Sequence, residues 1–492
     1  MFKRLFKVVS SLLLGIILLV AVAIILMPGI HISSLPMILN VITGIGFYSN
    51  DVNLNQGLKL SEGYNISIYA RGITNPRMMW QAGHGRLLVS SPRSGEIIQI
   101  SDIGSEDYNK SQAVLLEDLQ RPHGLEVYNG YLYVAESNQV GRIKYDAVTG
   151  KVFGNYQIIV KGLTDEGNHW SKTLRFDNEG WLFLSLGSTC NVCEESDQRR
   201  ATIMRFRADG SEGRIYATGL RNSVGLAIAP WDGVLYATEN GRDLLGDDYP
   251  ACELNRVEQG GFYGWPYLNG DNEIDPDMDF GKQELQKSAI KPEFHFPAHN
   301  APLGIHFSKY LKKTALVALH GSWNRSQPDG YKVVALKWQE DGTIISSDFV
   351  WGFLTDGKII GRPVDIVSDG AGGYFLSDDY AQVIYRISNN NYQDSTKSFR
   401  MAIKKSFGLA ELDLELAGKG QQLFKQYDCQ SCHNLASATP VLLDKLQDRY
   451  TLRTLADFFS SPTPPMPRFD FSAEEREQLA HYLLQSLIAN EG

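Results

Sequence analysis

The sequence has no dense block of basic residues. Its 47 Lys and Arg are scattered and outnumbered by 56 Asp and Glu, which gives a formal net charge of −9 over 492 residues. This argues against a nucleic-acid partner, because such proteins concentrate basic charge on one face. Any site for an anion therefore has to be local. With 43% hydrophobic residues, a chain of this length predicts two folded units.

Cysteine is also scarce, with five residues in the chain. Cys190 and Cys193 have the Cys-x-x-Cys spacing of a haem-attachment motif, but Glu194 stands where that motif needs His. In an oxidising compartment this spacing favours a local disulfide, whereas zinc would need two further ligands that the neighbourhood lacks. Cys252 is expected to be a lone buried thiol.

A long uncharged run occurs near the N-terminus, over residues 8–27. It exceeds the about 7 to 15 apolar residues of a cleaved signal peptide and suits one membrane-spanning helix. We expect residues 1–30 to be an uncleaved anchor, with cleavage as the alternative, followed by a linker at 31–58. Three basic residues precede the run and none follows until Lys59. This asymmetry predicts a single-pass protein of the inner (cytoplasmic) membrane with its later residues in the periplasm.

Helical periodicity is nearly absent between residues 59 and 390. A unit of two short apolar strands joined by a Gly- or Asp-rich turn recurs six times in this region. Six such repeats predict an all-β, six-bladed β-propeller rather than a sandwich. The segment YNISIYARG, residues 64–72, precedes the first full repeat. We expect it to be an outer strand that closes the ring against the last blade.

Each repeat begins with a connection that, in a propeller, returns from the rim to the central axis on one face. One arginine there is an ordinary donor to carbonyl groups, but several converging cations cost free energy unless an anion offsets them. The pattern predicts a pocket for a small, flat-sided polyanion held by arginines, with a histidine as candidate base. The connections carry Arg77, Arg121, His123, Asn168, His169, Arg221, Asn222, His299 and Arg362.

Several segments of this region together bring the chain close to a known family. As a set they resemble the glucose/sorbosone dehydrogenases, six-bladed propellers that use pyrroloquinoline quinone, and most of all the sorbosone dehydrogenase branch. The resemblance covers roughly residues 60 to 390 and implies that the quinone, with its three carboxylates, occupies the arginine-rich pocket. The segments are NHWSKTLRFDNEGWLFLSLGSTCNVC, ATGLRNSVGLAI, ATENGRDLLGDD, ELNRV, HNAPLGIHF, LHGSWNRSQPDGYKVV and GRPVDIVSDGAGGYFLSDDYAQVIYRI.

The resemblance also implies roles for individual residues. His169 matches the general base that takes the proton from the sugar hydroxyl while hydride passes to the quinone. Arg221 and Asn222 match a pair placed against the quinone oxygens, where a guanidinium stabilises developing negative charge. Gly241 and Arg242 match positions whose backbone carbonyls hold a calcium ion on the quinone.

Further cofactor ligands are implied on other blades. Arg362 matches a carboxylate-binding arginine and Asp378 a pocket carboxylate, while Arg121 and Arg325 are additional candidate ligands. The chain also departs from the glucose-oxidising branch. Asn168 replaces an Asp beside the base, so any carboxylate that orients His169 must come from elsewhere. Val364 replaces a second arginine and Cys252 an acid, which leaves the sugar undetermined.

The C-terminal part has a different pattern. After the polar and basic residues 391–413, expected to be a linker, the residues from Cys429 to His433 read CQSCH, the attachment motif of a c-type haem. The thiols of Cys429 and Cys432 attach to the haem and His433 then binds the iron. Residues 414–492 resemble a small, all-α class I cytochrome c domain.

The second axial ligand of the iron is expected to be Met466. It is the only methionine after Met401 and lies in a proline-rich segment that cannot be helical. An incidental methionine in a proline-rich linker, or His481 as the ligand, is the alternative. Ser472 and Glu475 have the spacing of a capping box, which predicts that a helix begins there.

Together these features predict a periplasmic, membrane-anchored quinoprotein dehydrogenase. We expect oxidation of an aldose, a sorbosone-like sugar aldehyde or a related polyol, with electrons passing from the quinone through the haem to a membrane quinone pool or a soluble cytochrome. Cys190→Ser is expected to leave turnover largely intact. Two alternatives stay open. One is a calcium-dependent lactonase-like hydrolase, which predicts a metal held by carboxylates from several blades; the other is a non-catalytic electron-transfer or sensor protein.

Overall fold

The computed structural model describes most of the propeller region and part of the C-terminal region. The described residues are 15, 57–83, 85–101, 111–147, 149–278, 283–390, 413–429, 433, 443, 446, 450, 452–460, 462 and 466–490. The expected anchor at 1–30 and the linkers at 31–58 and 391–413 lie outside them, apart from residues 15, 57, 58 and 413. Among the described residues, no helix is long and apolar enough to cross a membrane.

Antiparallel strands dominate residues 59–389. Up to the end of the third blade they are β1 (Lys59–Leu60), β2 (Tyr64–Arg71), β3 (Met79–Gly83), β4 (Arg86–Ser91), β5 (Glu96–Ser101), β6 (Ser111–Leu116), β7 (Leu125–Tyr128), β8 (Tyr131–Ala135), β9 (Val140–Asp146), β10 (Lys151–Val160), β11 (Leu174–Phe176), β12 (Trp181–Leu186), β13 (Thr202–Arg207) and β14 (Arg214–Thr218).

The second half of the propeller also contains one short helix and two small extra hairpins. Its elements are β15 (Ser223–Ile228), β16 (Leu235–Glu239), β17 (Cys252–Val257), β18 (Leu268–Asn269), β19 (Glu273–Ile274), α1 (Gln283–Ser288), β20 (Phe294–Phe296), β21 (Pro302–Phe307), β22 (Thr314–Leu319), β23 (Lys332–Trp338), β24 (Ile344–Trp351), β25 (Leu354–Thr355), β26 (Lys358–Ile359), β27 (Pro363–Ser368), β28 (Tyr374–Asp378) and β29 (Val383–Asn389).

The strands form six blades, as the repeats predict. Blades 1 to 3 are the consecutive sets β3–β6, β7–β10 and β11–β14, blade 4 is β15-β16-β17-β20, and blade 5 is β21–β24 with β1 at its edge. Blade 6 combines β27, β28 and β29 with β2. The innermost strands contact one another in cyclic order, from β3 through β7, β11, β15, β21 and β27 back to β3. The six-bladed β-propeller is therefore confirmed.

The ring of blades is closed by a strand from the start of the domain. β2 pairs antiparallel with β29, from Tyr64 opposite Asn389 to Arg71 opposite Val383. Ile384 on β29 is fully buried and packs with Tyr69 and Ala70 of β2. The sequence prediction that residues 64–72 form the closing strand is confirmed.

The core lies between neighbouring blades, which explains why the second strand of several blades is apolar on both faces. β22, with the sequence TALVAL, and β12, with WLFLSL, are buried along their whole length. A strand covered on both faces reads as a continuous apolar run rather than an alternating one. The polar groups that function requires are therefore left to the loops at the blade ends.

The described C-terminal residues include three helices. These are α2 (Leu414–Gln426), α3 (Leu452–Phe458) and α4 (Ala473–Asn490). α4 begins with the predicted capping box, because Ser472 N donates to Glu475 Oε2 and Glu475 N donates to Ser472 Oγ. Apolar side chains of α2, α3 and α4 pack in one cluster that includes Phe424, Leu455 and Leu483.

Replacing Ile384 tests the closure of the ring. Ile384→Ala would leave a cavity between β29 and β2, so we expect a loss of about 2 to 5 kcal/mol in the free energy of unfolding, measured by denaturant titration. Ile345→Ala is the matched control, because this isoleucine is 57% exposed and should change stability by about 0.5 kcal/mol or less. Equal effects of the two substitutions would contradict the closure.

Candidate active site at the propeller axis

Side chains from all six blades form a closed chain of contacts at one end of the propeller axis. We call this set the cation ring. Its members lie on the connections between blades and on the loops that follow the second strand of a blade, because both kinds of loop emerge on the same face of an antiparallel propeller. They are Arg77, Arg121, His123, His169, Trp170, Arg221, Asp243, His299, His320, Arg325, Arg362 and Asp379.

The ring crosses the seam between blades 5, 6 and 1 through one carboxylate. Asp379 Oδ2 accepts a hydrogen bond from Arg77 Nη1 at 2.8 Å, and Asp379 Oδ1 lies 2.9 Å from His320 Nε2. Arg362 donates to the backbone oxygens of His320 and Gly321, at 3.1 and 3.0 Å. Asp379 of blade 6 thus contacts Arg77 from blade 1 and His320 from blade 5.

An aromatic contact continues the ring from blade 1 to blade 3. Arg77 Nη2 lies 3.5 Å from His123 Nε2, and His123 meets the Trp170 ring edge-on. The Arg121 guanidinium lies over the same tryptophan, 5.0 Å from its ring centre, and pairs with Asp165 at 2.7 Å. Trp170 is therefore contacted on one side by a histidine and on another by a cation.

His169 is held in a single tautomer. Its Nδ1 lies 3.0 Å from the carbonyl oxygen of Ser188 and 2.9 Å from Ser188 Oγ. A carbonyl oxygen only accepts, so Nδ1 carries the proton and the lone pair is on Nε2. Burial, together with the charge of Arg221, lowers the pKa of His169 to about 3. The ring is thus neutral at physiological pH, with Nε2 able to accept a proton.

The groups that orient His169 are a backbone carbonyl and a hydroxyl, not the carboxylate that sequence reasoning sought. Arg200 stabilises the segments that contain these groups by hydrogen bonds to their carbonyl oxygens. Its buried guanidinium donates to the carbonyl oxygens of Ser188 and His169, at 2.9 and 3.3 Å, and to those of Thr164 and Glu166. One cation thereby fixes both segments that meet at the histidine.

Arg221 is buried and almost fully hydrogen-bonded. Nε donates to Asn191 O at 2.8 Å, Nη1 to the carbonyl oxygens of Asn240 and Gly241, and Nη2 to Asn191 Oδ1 at 2.8 Å. Asp243 pairs with Nη2 at 3.3 Å. Hydrogen bonds from Nε, Nη1 and Nη2 consequently fix the plane of the guanidinium.

Gly187 lets His169 and Asn222 approach each other. A Cβ at this position would lie 2.6 Å from His169 Cβ and 2.8 Å from Asn222 Oδ1. Both distances are shorter than side chains tolerate, so a larger residue would push the two apart. The site therefore needs glycine between the candidate base and the amide.

Blade 5 completes the ring. His299 Nδ1 lies 3.5 Å from Asp243, and His299 Nε2 lies 2.8 Å from the carbonyl oxygen of Gly246. Arg325 crosses to the same loop, donating to Asp247 O at 2.8 Å and to Asp248 Oδ1 at 2.9 Å. These contacts connect the loops that follow β16 and β22.

The interpretation of Asp378 as a pocket carboxylate is wrong. Asp378 is fully buried, and its Oδ1 accepts from the backbone N–H groups of Arg362, Tyr380 and Ala381. Burial raises its pKa to about 7. Asp378 therefore positions the backbone of Arg362, and its neighbour Asp379 is the carboxylate in the ring.

The described residues do not show a calcium site at Gly241 and Arg242. The carbonyl oxygen of Gly241 accepts from Arg221 Nη1 at 3.0 Å, which places a cation where calcium would bind. The Arg242 side chain is buried against Asp275 and Asp277. Among the described residues, one group of three side chains has metal-ligand spacing, and it consists of Cys190, Cys193 and Glu195. Calcium binding stays a prediction.

The cation ring can bind a flat polyanion, although fewer of its arginines are left without a carboxylate partner than the sequence implied. Arg77, Arg121 and Arg221 each have an aspartate partner within the protein, so their charges are already partly offset. Arg362 hydrogen-bonds only to carbonyl oxygens, and the buried Nε of Arg77 has no hydrogen-bond partner among the described residues. These two arginines, Arg121, whose recorded hydrogen bonds come from Nη2 alone, and His169 Nε2 are the groups that the ring still offers to a ligand.

The remaining cysteines follow the sequence predictions. Cys190 and Cys193 form a disulfide, and Cys252 is a buried free thiol. In the C-terminal region Cys429 and Met466 both pack against the apolar cluster of α2 to α4. Cys432 lies outside the described residues. His433 N donates to Cys429 O at 3.1 Å.

His481 is engaged in the helical packing rather than presented to a ligand. It is buried, and its Nδ1 accepts from the backbone N–H of Asp413 at 3.0 Å. That contact links α4 to the residue that caps α2, since the Asp413 side chain accepts from Glu415 N and Leu416 N. This favours Met466 over His481 as the second axial ligand.

Sequence reasoning missed Ser188, Asn191, Asp243, His320 and Asp379. All five lie in the loops after the second strand of a blade, next to segments that were recognised. The signal was available in part, because GDD and SDD follow these strands in blades 4 and 6. What the sequence does not show is which neighbouring blade each side chain contacts.

Comparison with known proteins gives two family matches. Residues 58–390 match the TrAA12-like family model, and residues 415–483 match the model for cytochrome C oxidase, cbb3-type, subunit III. The first match covers more than half of the chain, and both cover the regions that the sequence assigned to the propeller and the haem.

Curated relatives match the propeller region at low identity. A pyrroloquinoline quinone-dependent pyranose dehydrogenase of Coprinopsis cinerea is 25% identical over 397 residues, covering 66% of this chain and 54% of that protein. The chain thus spans about half the length of this relative. An aldose sugar dehydrogenase of Escherichia coli is 25% identical over 345 residues, covering 63% and 84% of the two chains.

A solved structure supports the fold. The holo form of the pyranose dehydrogenase PQQ domain from Coprinopsis cinerea superposes with a TM-score of 0.58 at 22% identity, covering 70% of this chain and 97% of the other. At this identity the likeness concerns the architecture of the propeller.

The tautomer and low pKa of His169 predict a spectroscopic result in the cofactor-free protein. With ¹⁵N-labelled histidine, the signal lost in His169→Gln should show a neutral ring with the proton on Nδ1. It should stay neutral from about pH 7 to about pH 5, where an ordinary histidine of pKa about 6.5 becomes mostly protonated. Protonation of His169 near pH 6.5 would contradict the assignment.

Proposed function

Because the chain belongs to the TrAA12-like family, we propose that its propeller is a pyrroloquinoline quinone-dependent sugar dehydrogenase whose electrons leave through the c-type haem of the same chain. The family match over residues 58–390 and the names of the curated relatives support the class of cofactor and substrate. The cytochrome match over residues 415–483 supports the electron outlet.

The observation that carries the proposal is the state of His169. Its Nε2 lone pair is oriented by the Nδ1 contact with Ser188, and its low pKa keeps that lone pair available. A general base must present an unprotonated atom to the proton that it takes, and His169 Nε2 meets this requirement. His169 Nε2 takes the proton of the sugar hydroxyl that is being oxidised.

The arginines divide between binding and electrostatic stabilisation. Arg362 and Arg77 offer donors to the carboxylates of the cofactor, as does Arg121 beside Trp170. Arg221 is fixed by five hydrogen bonds, so its charge is in place before the reaction begins. A preorganised charge lowers the barrier because it does not have to reorient during the reaction.

Pyrroloquinoline quinone, when bound, supplies a two-electron acceptor, whereas a haem iron carries one electron. Fusion to the propeller keeps that one-electron outlet at high effective concentration. We assign Cys429, Cys432 and His433 to haem attachment and iron binding, with Met466 as the second axial ligand. The apolar cluster against which Cys429 and Met466 pack suits the low-polarity surroundings of an electron-transfer haem.

The finer points are also proposals. The substrate is an aldose, a sorbosone-like sugar aldehyde or a related polyol, and the acceptor is a membrane quinone pool or a soluble cytochrome. Residues 1–30 anchor the chain in the inner membrane, with residues 59–390 and 414–492 as the periplasmic domains. The positive charges before the uncharged run at 8–27 support this orientation. No specific observation favours the hydrolase alternative.

Haem absorption tests the proposal and the role of His169 together. Purified protein loaded with pyrroloquinoline quinone and Ca²⁺ should show haem reduction when one member of a sugar and sugar-aldehyde panel is added. His169→Gln should retain the cofactor but reduce turnover by about a hundredfold or more, because general-base catalysis is lost. His295→Ala, at an exposed position, is the control and should behave like the wild type.

Three results would count against this account. If no sugar or aldehyde reduces the haem of the loaded wild type, the dehydrogenase is wrong. If His169→Gln loses the cofactor, this histidine binds the cofactor rather than acting as the base. If His295→Ala is as inactive as His169→Gln, the loss is not specific to the site.

Replacing Met466 tests the iron ligand. Met466→Ala removes the thioether, so the reduction potential of the haem should fall markedly in a redox titration. His481→Ala should leave the potential unchanged and cost about 1 kcal/mol of stability, because the Asp413 N–H loses its acceptor. The reverse pattern would identify His481 as the ligand.

A further inference from the structure

The Cys190–Cys193 disulfide closes a four-residue loop, here called the disulfide loop. This loop lies between His169, the candidate base, and Arg221, the candidate electrostatic stabiliser. It follows β12 and leaves the blade at Ser188, the residue that orients His169. Arg221 approaches it from blade 4. Neither the family resemblance nor the haem gives this loop a role.

Asn191, the second residue of the loop, is the main partner of Arg221. Its backbone oxygen accepts from Arg221 Nε at 2.8 Å, and its Oδ1 accepts from Arg221 Nη2 at 2.8 Å. The same backbone oxygen accepts from Trp265 Nε1 at 3.3 Å. Two acceptors on one residue, directed at Nε and Nη2, fix the plane of a guanidinium as a carboxylate does. They do so without adding a negative charge.

Asn191 also holds the carboxylate that pairs with Arg221. Its Oδ1 accepts from Asp243 N and its Nδ2 donates to Asp243 O, at 2.8 and 2.9 Å. The position therefore needs an acceptor and a donor on one short side chain. Aspartate would lose the donor, and alanine would leave buried groups of Arg221 and Asp243 without partners.

Cys190, the first residue of the loop, acts on the base through Ser188, which precedes the loop. Ser188 Oγ donates its proton to the backbone oxygen of Cys190 at 2.7 Å, so at His169 Nδ1 the same oxygen acts as an acceptor. The loop thereby supports the tautomer that leaves Nε2 free of a proton. Both candidate catalytic groups are in this way held by neighbouring residues of one short, covalently closed loop.

We propose that Asn191 is a positioning residue for Arg221, and that the Cys190–Cys193 disulfide holds it in place for turnover. This rests on the proposed function, since the effect is on the proposed reaction. The expectation that Cys190→Ser leaves turnover largely intact is accordingly replaced. Opening the loop removes the constraint on Asn191 and leaves Arg221 with its Nη1 contacts to Asn240 and Gly241 and its pair with Asp243.

The first test measures kinetics. Asn191→Ala and the double variant Cys190→Ser/Cys193→Ser should each lower kcat by about ten- to a hundredfold with little change in the KM for sugar, because a misplaced charge affects the transition state more than substrate binding. Asn65→Ala is the matched control, because the Asn65 side chain is exposed on β2 and its recorded side-chain hydrogen bond is to the exposed Asn390. It should match the wild type.

A double-mutant cycle separates positioning from general loss of structure. In an Arg221→Lys background, Asn191→Ala should cause no more than about a twofold further loss of kcat, because the group on which Asn191 acts is already changed. An undiminished additional loss would show that Asn191 acts through another residue and would overturn the inference.

The second test needs no activity. In the cofactor-free protein, the Arg221 Nε–H signal, identified by its loss in Arg221→Lys, should exchange with water at least about tenfold faster in the double serine variant, because its acceptor on Asn191 is no longer fixed. If wild type shows no sugar-dependent haem reduction but this exchange accelerates, the proposed function fails and the positioning contact stands. If exchange is unchanged, or if wild type turns over and both loop variants match it, the inference is wrong.

Discussion

The pairing of β2 with β29 is the contact on which the rest of the propeller depends. It joins residues more than three hundred positions apart and brings the first and last blades together. The ion pair between Arg77 and Asp379 crosses the same seam. Without the strand pairing, Arg77 of blade 1 and Asp379 of blade 6 would not be brought into contact. The cation ring would then be open at the point where Arg77 and His320 contact the same carboxylate.

Closing the ring creates an electrostatic problem that the protein partly resolves internally. Cations from five blades face one axis, and an uncompensated group of this kind is costly in a partly buried position. Aspartates supply most of the compensation, because Asp379, Asp165 and Asp243 are each paired to an arginine. The groups left over, chiefly Arg362 and the Nε of Arg77, define where an anionic cofactor would add the missing charge.

The sequence predicted the elements that depend on local pattern. Six repeats of paired strands, the closing strand at 64–72 and the capping box at Ser472 are readable because each is encoded within a short segment. The cation ring was predicted in part, because those of its arginines and histidines that precede the repeats do so at a similar position. The carboxylates that pair with its arginines were not predicted, because a local sequence pattern does not show which side chain of the next blade will be in contact.

Asp378 and Asp379 show this limit most clearly. Adjacent residues at a strand end point to opposite sides, so one of two identical side chains caps a backbone and the other faces the axis. Only the register of β28 decides between them. Asn191 was overlooked for a similar reason, because its cysteine neighbours identified a disulfide but gave no indication that the loop lies against Arg221.

The most direct test of the central claim is a crystal structure of the protein with pyrroloquinoline quinone bound. The account predicts that the planar cofactor lies inside the cation ring, with its carboxylates at Arg77 and Arg362. Its reactive carbonyl should lie next to Arg221, and His169 Nε2 should point at the substrate position above it. A cofactor bound elsewhere, or a His169 ring turned so that Nε2 contacts Ser188, would contradict it.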